Sequence, residues 1–251
     1  MGKLELLAQQ HEQDYQLDHL SLVNPDGVLS VDGKWTMSAD DAQTQVNLKL
    51  EISDAGNILT RAGYPNMIKN GSGKLEGSFA WPGTPGMFSN ANLNGKLSLD
   101  TGKGQFLQID PGIGKLLSIL SLQALPKRIT LDFKDVFSKG FEFDLVKGTA
   151  DIKKGVIYTD NLKIEGSSAK VSMKGQIDLN NETQNLRVHI VPAVGDSVVL
   201  ITALVAANPF IMGPAVFLGN KVLNDPLGQL VSFEYNITGS WVDPKVEKAG
   251  K

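Results

Sequence analysis

The sequence predicts a mainly β protein: a long, curved antiparallel sheet folded into an open groove, with a few short helices toward the C-terminal end. Three observations carry that prediction. Apolar and polar residues alternate along most of the chain, as where Val46, Leu48, Leu50 and Ile52 are set against Gln45, Asn47, Lys49 and Glu51. That is the pattern of a strand with one dry and one wet face. Alternating segments also carry a glycine on or beside the apolar phase, at Gly77, Gly95, Gly148, Gly175 and Gly239. Glycine inside a strand marks a bend, a bulge or a close approach, so the repeat favours a coiled sheet over a sandwich. A plain curved sheet accounts for the same glycines without any ligand. Third, no charge falls between Asp196 and Lys221, yet Asn208-Pro209 and Gly213-Pro214 interrupt the run. Proline removes a backbone donor and disfavours helix in the residue before it, so a helical pair, not one spanning helix, is expected over about 196–223. Such a pair closes a groove, touches a membrane, or packs on the sheet as ordinary core.

In chain order, residues 3–53 read as consecutive strands, with Leu4, Leu6 and Ala8 in alternation and Leu17, His19 and Ser21 following more weakly. Asn24-Pro25-Asp26-Gly27 reads as a turn in which glycine takes a positive φ. A short helix is expected over 55–62 with Asp54 as its N-cap, then a strand and a Pro/Gly-rich turn within 68–86. Asp110 as N-cap, Pro111 at the first position, and Ile113, Leu116, Leu117 and Leu120 in helical spacing predict a helix over about 111–122. Strands are expected over 128–133, 141–153, 155–165, 170–179 and 183–191, and a last one over 229–241, before a frayed polar tail from 245. The whole, 1–251, is expected to be a single domain.

Composition excludes several functions. A formal net charge of -3 offers no basic surplus for nucleic acid. Absence of cysteine rules out disulfides, thiolate zinc sites and cysteine nucleophiles. His11, His19 and His189 stand far apart, and no nucleophile elbow, phosphate loop or dinucleotide fingerprint is present. The carboxylate pairs Asp40-Asp41 and Asp132/Asp135 lack a partner base. The expectation is therefore no enzyme, no cofactor and no metal; only a hydrolytic pair of carboxylates assembled across strands stays open. The first residues carry charges where a secretory signal would be apolar. If the chain works outside the cytoplasm, a targeting segment is expected upstream.

The stretch from Gly114 to Arg128, then Leu131 to Phe137 and Gly140 to Asp144, resembles the C-terminal signature of the AsmA-like envelope proteins, and looks like their YhdP-type branch. The likeness continues through Lys154-Gly155-Val156, Met173 to Leu179 and the apolar pair, covering about 90–245. The resemblance implies an elongated β-groove of the bridge-like lipid-transfer kind, anchored in the inner membrane by an N-terminal helix absent here. This chain would then be the periplasmic end near the outer membrane, carrying phospholipid between the two membranes. Its partners would be phospholipid and either the inner leaflet of the outer membrane or an outer-membrane protein, with no cofactor. A non-conducting docking module of the outer-membrane assembly machinery is the alternative. Exposing a palmitoyl-sized chain to water costs on the order of 12 kcal/mol, so a carrier needs a continuous apolar face. That face is expected at Leu93, Leu97, Leu99, Val171, Met173, Ile177, Leu179, Leu186, Val188 and Ile190. Groove closure or membrane contact falls to Leu200, Ile201, Leu204, Phe210, Ile211, Phe217 and Leu218.

Overall fold

A computed structural model describes residues 2–12, 14–37, 42–107, 140–192 and 232–249. Their strands are β1 (Lys3–His11), β2 (Asp14–Asn24), β3 (Gly27–Thr36), β4 (Gln43–Ile52), β5 (Ile68–Asn70), β6 (Gly73–Pro82), β7 (Asn94–Thr101), β8 (Gly104–Phe106), β9 (Phe141–Phe143), β10 (Leu145–Lys153), β11 (Val156–Glu165), β12 (Ala169–Asp178), β13 (Thr183–Pro192), β14 (Phe233–Ser240) and β15 (Pro244–Lys248). One α-helix among the described residues, α1 (Ala55–Arg61), follows β4, and two short 3-10 turns, Pro85–Met87 and Asn90–Asn92, lie between β6 and β7. Twelve strands form one open antiparallel sheet whose spatial order is the chain order; β5, β8 and β9 form a second, three-stranded sheet.

The alternation read from the sequence sets the faces of the large sheet. In β4, Val46, Leu48, Leu50 and Ile52 are half-buried while Gln45, Asn47, Lys49 and Glu51 are exposed. In β13 the contrast is sharper, with Leu186, Val188 and Ile190 buried between exposed Asn185, Arg187 and His189. Bulges interrupt the register between Leu7 and Ala8, Leu17 and Leu20, Lys147 and Asp151, and Thr159 and Leu162. Each inserts a residue and increases local twist, which coils a sheet of this width.

The five glycines do lie on the apolar face, but they do not leave an empty furrow. Each stands opposite a larger residue, such as Leu97 for Gly77 and Leu99 for Gly148. The Phe79 ring fills the space over Gly77 and Gly95, where a Cβ would meet it at 2.6 and 3.0 Å; Leu162 does the same over Gly148.

The second sheet is the bent continuation of the first. β5 runs into β6, β7 into β8 and β9 into β10, and the order β5-β8-β9 repeats the order β6-β7-β10. The corners are short: Gly71 takes φ +91°, a conformation that suits glycine, and Gly102 N–H donates to Ser72 O at 2.6 Å across two of them. The bend turns toward the apolar face, because Phe106, Phe141 and Phe143 are buried in the same cluster as Val146, Ile164, Val171 and Val188. α1 packs beside β5, with Asp54 Oδ1 accepting from Asn57 N at 2.9 Å as the expected N-cap. These bent ends and α1 make a hood over one end of the strands.

Several expectations are corrected. Gly27 has no positive φ; it is small because a Cβ would lie 2.5 Å from Glu51 O, while Asn24 Oδ1 holds the turn by accepting from Asp26 N and Gly27 N. Residues 141–153 are two strands in different sheets, broken at Asp144. The polar tail forms a strand over Pro244–Lys248, and 229–241 does not hold the last strand. β15 pairs with β14 from Gly239↔Pro244 to Tyr235↔Lys248, and Val246 packs on the core. One apolar residue is too weak a pattern to read, but the free edge of β14 offers backbone partners. The helix over 111–122, the strand over 128–133, the pair over 196–223 and Asp40-Asp41 fall outside the described residues. Among the described residues no helix is long and apolar enough to cross a membrane.

Candidate functional site

Strand pairing turns scattered leucines into two continuous rungs across the apolar face. The first reads Leu4–Leu22–Leu29–Leu50–Leu75–Leu99, each residue opposite the next. The second reads Leu6–Leu20–Val31–Leu48–Gly77–Leu97–Ala150. With strands about 4.8 Å apart, the six leucines of the first rung cover about 24 Å of hydrocarbon surface. Most of this track was not singled out from the sequence. Alternation was visible in each strand, but only the register shows that the leucines align.

Burial deepens along the track. Leu4 and Leu6 are 63% and 62% exposed, whereas Leu29, Leu50, Leu75, Leu97 and Leu99 are half-buried. Beyond β10 the face closes: Val171, Met173, Leu186, Val188 and Ile190 are no more than 2% exposed. Ile177 and Leu179 are partly buried against that cluster, and Leu93 is buried with Trp81 and Ile152 in a second one. All ten expected groove residues therefore share one apolar face, in two environments. Leu97 and Leu99 stand on the half-open track, and Val171, Met173, Leu186, Val188 and Ile190 stand in the core cluster with the hood's Phe106, Phe141 and Phe143. Leu200, Ile201, Leu204, Phe210, Ile211, Phe217 and Leu218 lie outside the described residues.

The charged side chains of the opposite face, among them Asp32, Lys49, Glu76, Lys96, Asp151, Asp160, Lys174 and Arg187, line a trough of about 1240 Å³ that also reaches Leu48, Leu97 and Ala150 of the second rung. Charges of both signs alternate across strands, as at Lys49↔Glu76 and Lys96↔Asp151. Stripping such groups of water is costly, so that charged face is a wet surface and no seat for an acyl chain. Among the described residues no group of three or more His, Asp or Glu is placed to hold a metal. His19 and His189 stand exposed on separate strands. Titration is clearly perturbed at few sites. Arg61, whose Nε lies 2.5 Å from Asp26 Oδ2, holds that carboxyl below its usual range, with Asn57 Nδ2 also donating, against the effect of burial. Backbone and side-chain donors of Asn181 hold the Asp178 carboxyl low in the β12–β13 turn. Both are structural contacts.

A family model described as YhdP protein matches residues 1–246. The chain belongs to the YhdP family. The match takes in the first 90 residues, which the resemblance over about 90–245 leaves out. Over 221 residues the chain is 32% identical to the "Intermembrane phospholipid transporter YhdP" of Escherichia coli (strain K12), covering 88% of this chain. The chain spans 17% of the length of that curated relative. No solved structure matches it. The YhdP family model thus joins the leucine rungs of β1–β7 and the buried face of β10–β14 in one unit of sequence.

Proposed function

We propose that this chain is a segment of a phospholipid conduit between the inner and outer membranes of a Gram-negative envelope, its acyl chains carried on the apolar face. The leucine-rich rungs carry this reading: they present hydrocarbon across strand after strand while most intervening side chains, such as Glu5, Lys49, Glu76 and Ser98, face water. The similarity to a protein named as an intermembrane phospholipid transporter supports it. Transport by such a surface needs no catalytic group, because the chain only has to offset the cost of wetting the lipid tails. On this reading the whole chain acts as one β-groove unit in the periplasm, near the outer membrane. Leu97 and Leu99 contact lipid first. Leu93, Ile177, Leu179 and the buried set of Val171, Met173, Leu186, Val188 and Ile190 continue the same face beneath the hood.

Photocrosslinking residues placed at Leu50 and Leu97 test it. Protein purified from cells is expected to carry phospholipid crosslinked at both positions, and Leu97→Asp is expected to abolish transport in a chain that stays folded. Lipid-free protein with no crosslink at either position overturns the reading. Transport that survives Leu97→Asp favours a docking module.

A further inference from the structure

All three tryptophans of the chain gather at the end of the sheet opposite the hood. Tyr15, Trp35, Thr44 and Trp81 stand opposite one another on one rung, and Tyr15 stacks on Trp35 at 5.0 Å. Trp241 lies at the same end, its backbone N–H bonded to Glu182 O beside the β12–β13 turn. Met37, Met87, Phe88 and Val242, each more than 40% exposed, surround them in the adjoining loops. Rings with a polar tip among exposed apolar side chains suit the zone between hydrocarbon and water. Trp81 Nε1 donates to Thr84 O at 3.1 Å, but the indole N–H groups of Trp35 and Trp241 are buried and have no partner among the described residues. A buried donor left unmade is costly.

The other end of the strands offers a different environment. There Phe106, Phe141 and Phe143 turn onto the apolar face. Along β4 from Thr44 to Ile52 the distance between the two ends is about 27 Å at the usual rise per residue. One lipid leaflet, from headgroup to chain end, is about 20 Å deep. A phospholipid lying along the strands therefore fits between the tryptophans and the hood.

Resting on the conduit reading above, we propose that each bound phospholipid lies along the strands, with its phosphate and ester zone at the tryptophan end and its acyl chains running over the leucine rungs toward the hood. The indole N–H groups of Trp35 and Trp241 donate to lipid oxygens once the side chains over them, such as Tyr15, swing aside. The tryptophan end is then the side along which headgroups travel.

Because every tryptophan stands at this end, tryptophan fluorescence, excited at the red edge where tyrosine does not absorb, reports on it alone. The chain is loaded from phosphatidylcholine vesicles carrying a nitroxide either on the choline or at the methyl end of an acyl chain. It is then separated from vesicles by gel filtration, and bound lipid is measured as phosphorus. The expected result is several-fold stronger quenching by the choline label at equal bound lipid. Equal or stronger quenching by the chain-end label overturns the orientation and leaves the conduit reading standing. Quenching that disappears with the vesicles, while phosphorus is retained, overturns it in favour of surface docking by this end. No retained phosphorus overturns both readings. In parallel, Trp35→Phe and Trp241→Phe are expected to hold or raise the melting temperature of the empty protein while lowering the phosphorus retained. Unchanged retention in both variants overturns the donor role, and if a variant does not fold, the label comparison in the native chain still decides the orientation.

Discussion

Asp26 ties three elements together at the hood end. Its backbone carbonyl accepts from Ser53 N and Asp54 N, and its side chain from Arg61 and Asn57 of α1. Because the folded state holds this carboxyl below its unfolded value, the contact stabilises the fold above about pH 4 and is lost as the pH falls through the depressed value. Asp26→Asn is therefore expected to lower the melting temperature at neutral pH, with the difference from the parent chain shrinking in acid. A difference of the same size at both pH values sinks the assignment. The apolar face makes a second contrast between single residues. Leu186→Ala, at a fully buried site, is expected to cost about 2–5 kcal/mol in denaturant unfolding. Leu50→Ala, on the half-open track, is expected to cost nearer 1 kcal/mol, since only part of that side chain leaves water on folding.

Among the elements, the β10–β11 hairpin shows local chemistry and packing agreeing. Lys154 and Gly155 both take positive φ, +48° and +77°, as a two-residue primed turn requires. The turn is also wedged in place, with Gly155 N–H donating to Leu93 O and Gly155 O accepting from Leu179 N. A Cβ on Gly155 would meet Asn90 O. Gly155→Ala is thus expected to destabilise by roughly 1–3 kcal/mol, and a loss no larger than at a surface site would show the wedge to be slack. Among the described residues, the two edge strands of the large sheet, β1 and β15, differ in kind. β15 is five residues long, with Pro244, Lys245 and Lys248, all features that discourage pairing with another chain. β1 is nine residues long and carries exposed Leu4, Leu6 and Leu7. This chain is expected to self-associate through β1, and Leu6→Lys to shift it toward monomer in sedimentation velocity. An unchanged distribution would exclude that edge as the contact.

For the whole molecule, one sheet does two jobs because its two ends and its two halves differ. From β1 to β7 the apolar face is half-open, and from β10 to β14 it is closed by the aromatic hood and its own packing. A crosslinker at Leu50 is accordingly expected to capture lipid in the resting protein more readily than one at Val188. Phe106→Ala together with Phe143→Ala, in a chain that stays folded, is expected to narrow that gap. Equal capture at both positions in the parent chain would mean that the buried half opens freely.

What the sequence determined by itself was local. Period-two alternation assigned Val171, Met173, Leu186, Val188 and Ile190 to one face, because a strand places every second side chain on the same side whatever its neighbours are. Asp54 as a helix cap and Asn24 in a turn were legible for the same reason: their hydrogen bonds reach only two or three residues. Tertiary structure decided what depends on distant segments meeting. Alternation carries no register, so nothing in the order of residues announced that Leu4, Leu22, Leu29, Leu50, Leu75 and Leu99 form one rung. Nor did it show that β5, β8 and β9 bend over together, since each is three residues long and gains its stability from the other two. Burial behaved likewise: Leu97 and Val188 sit in equivalent patterns, yet one is half-open and the other sealed, because Val188 packs in the cluster that holds Phe106, Phe141 and Phe143 and Leu97 does not.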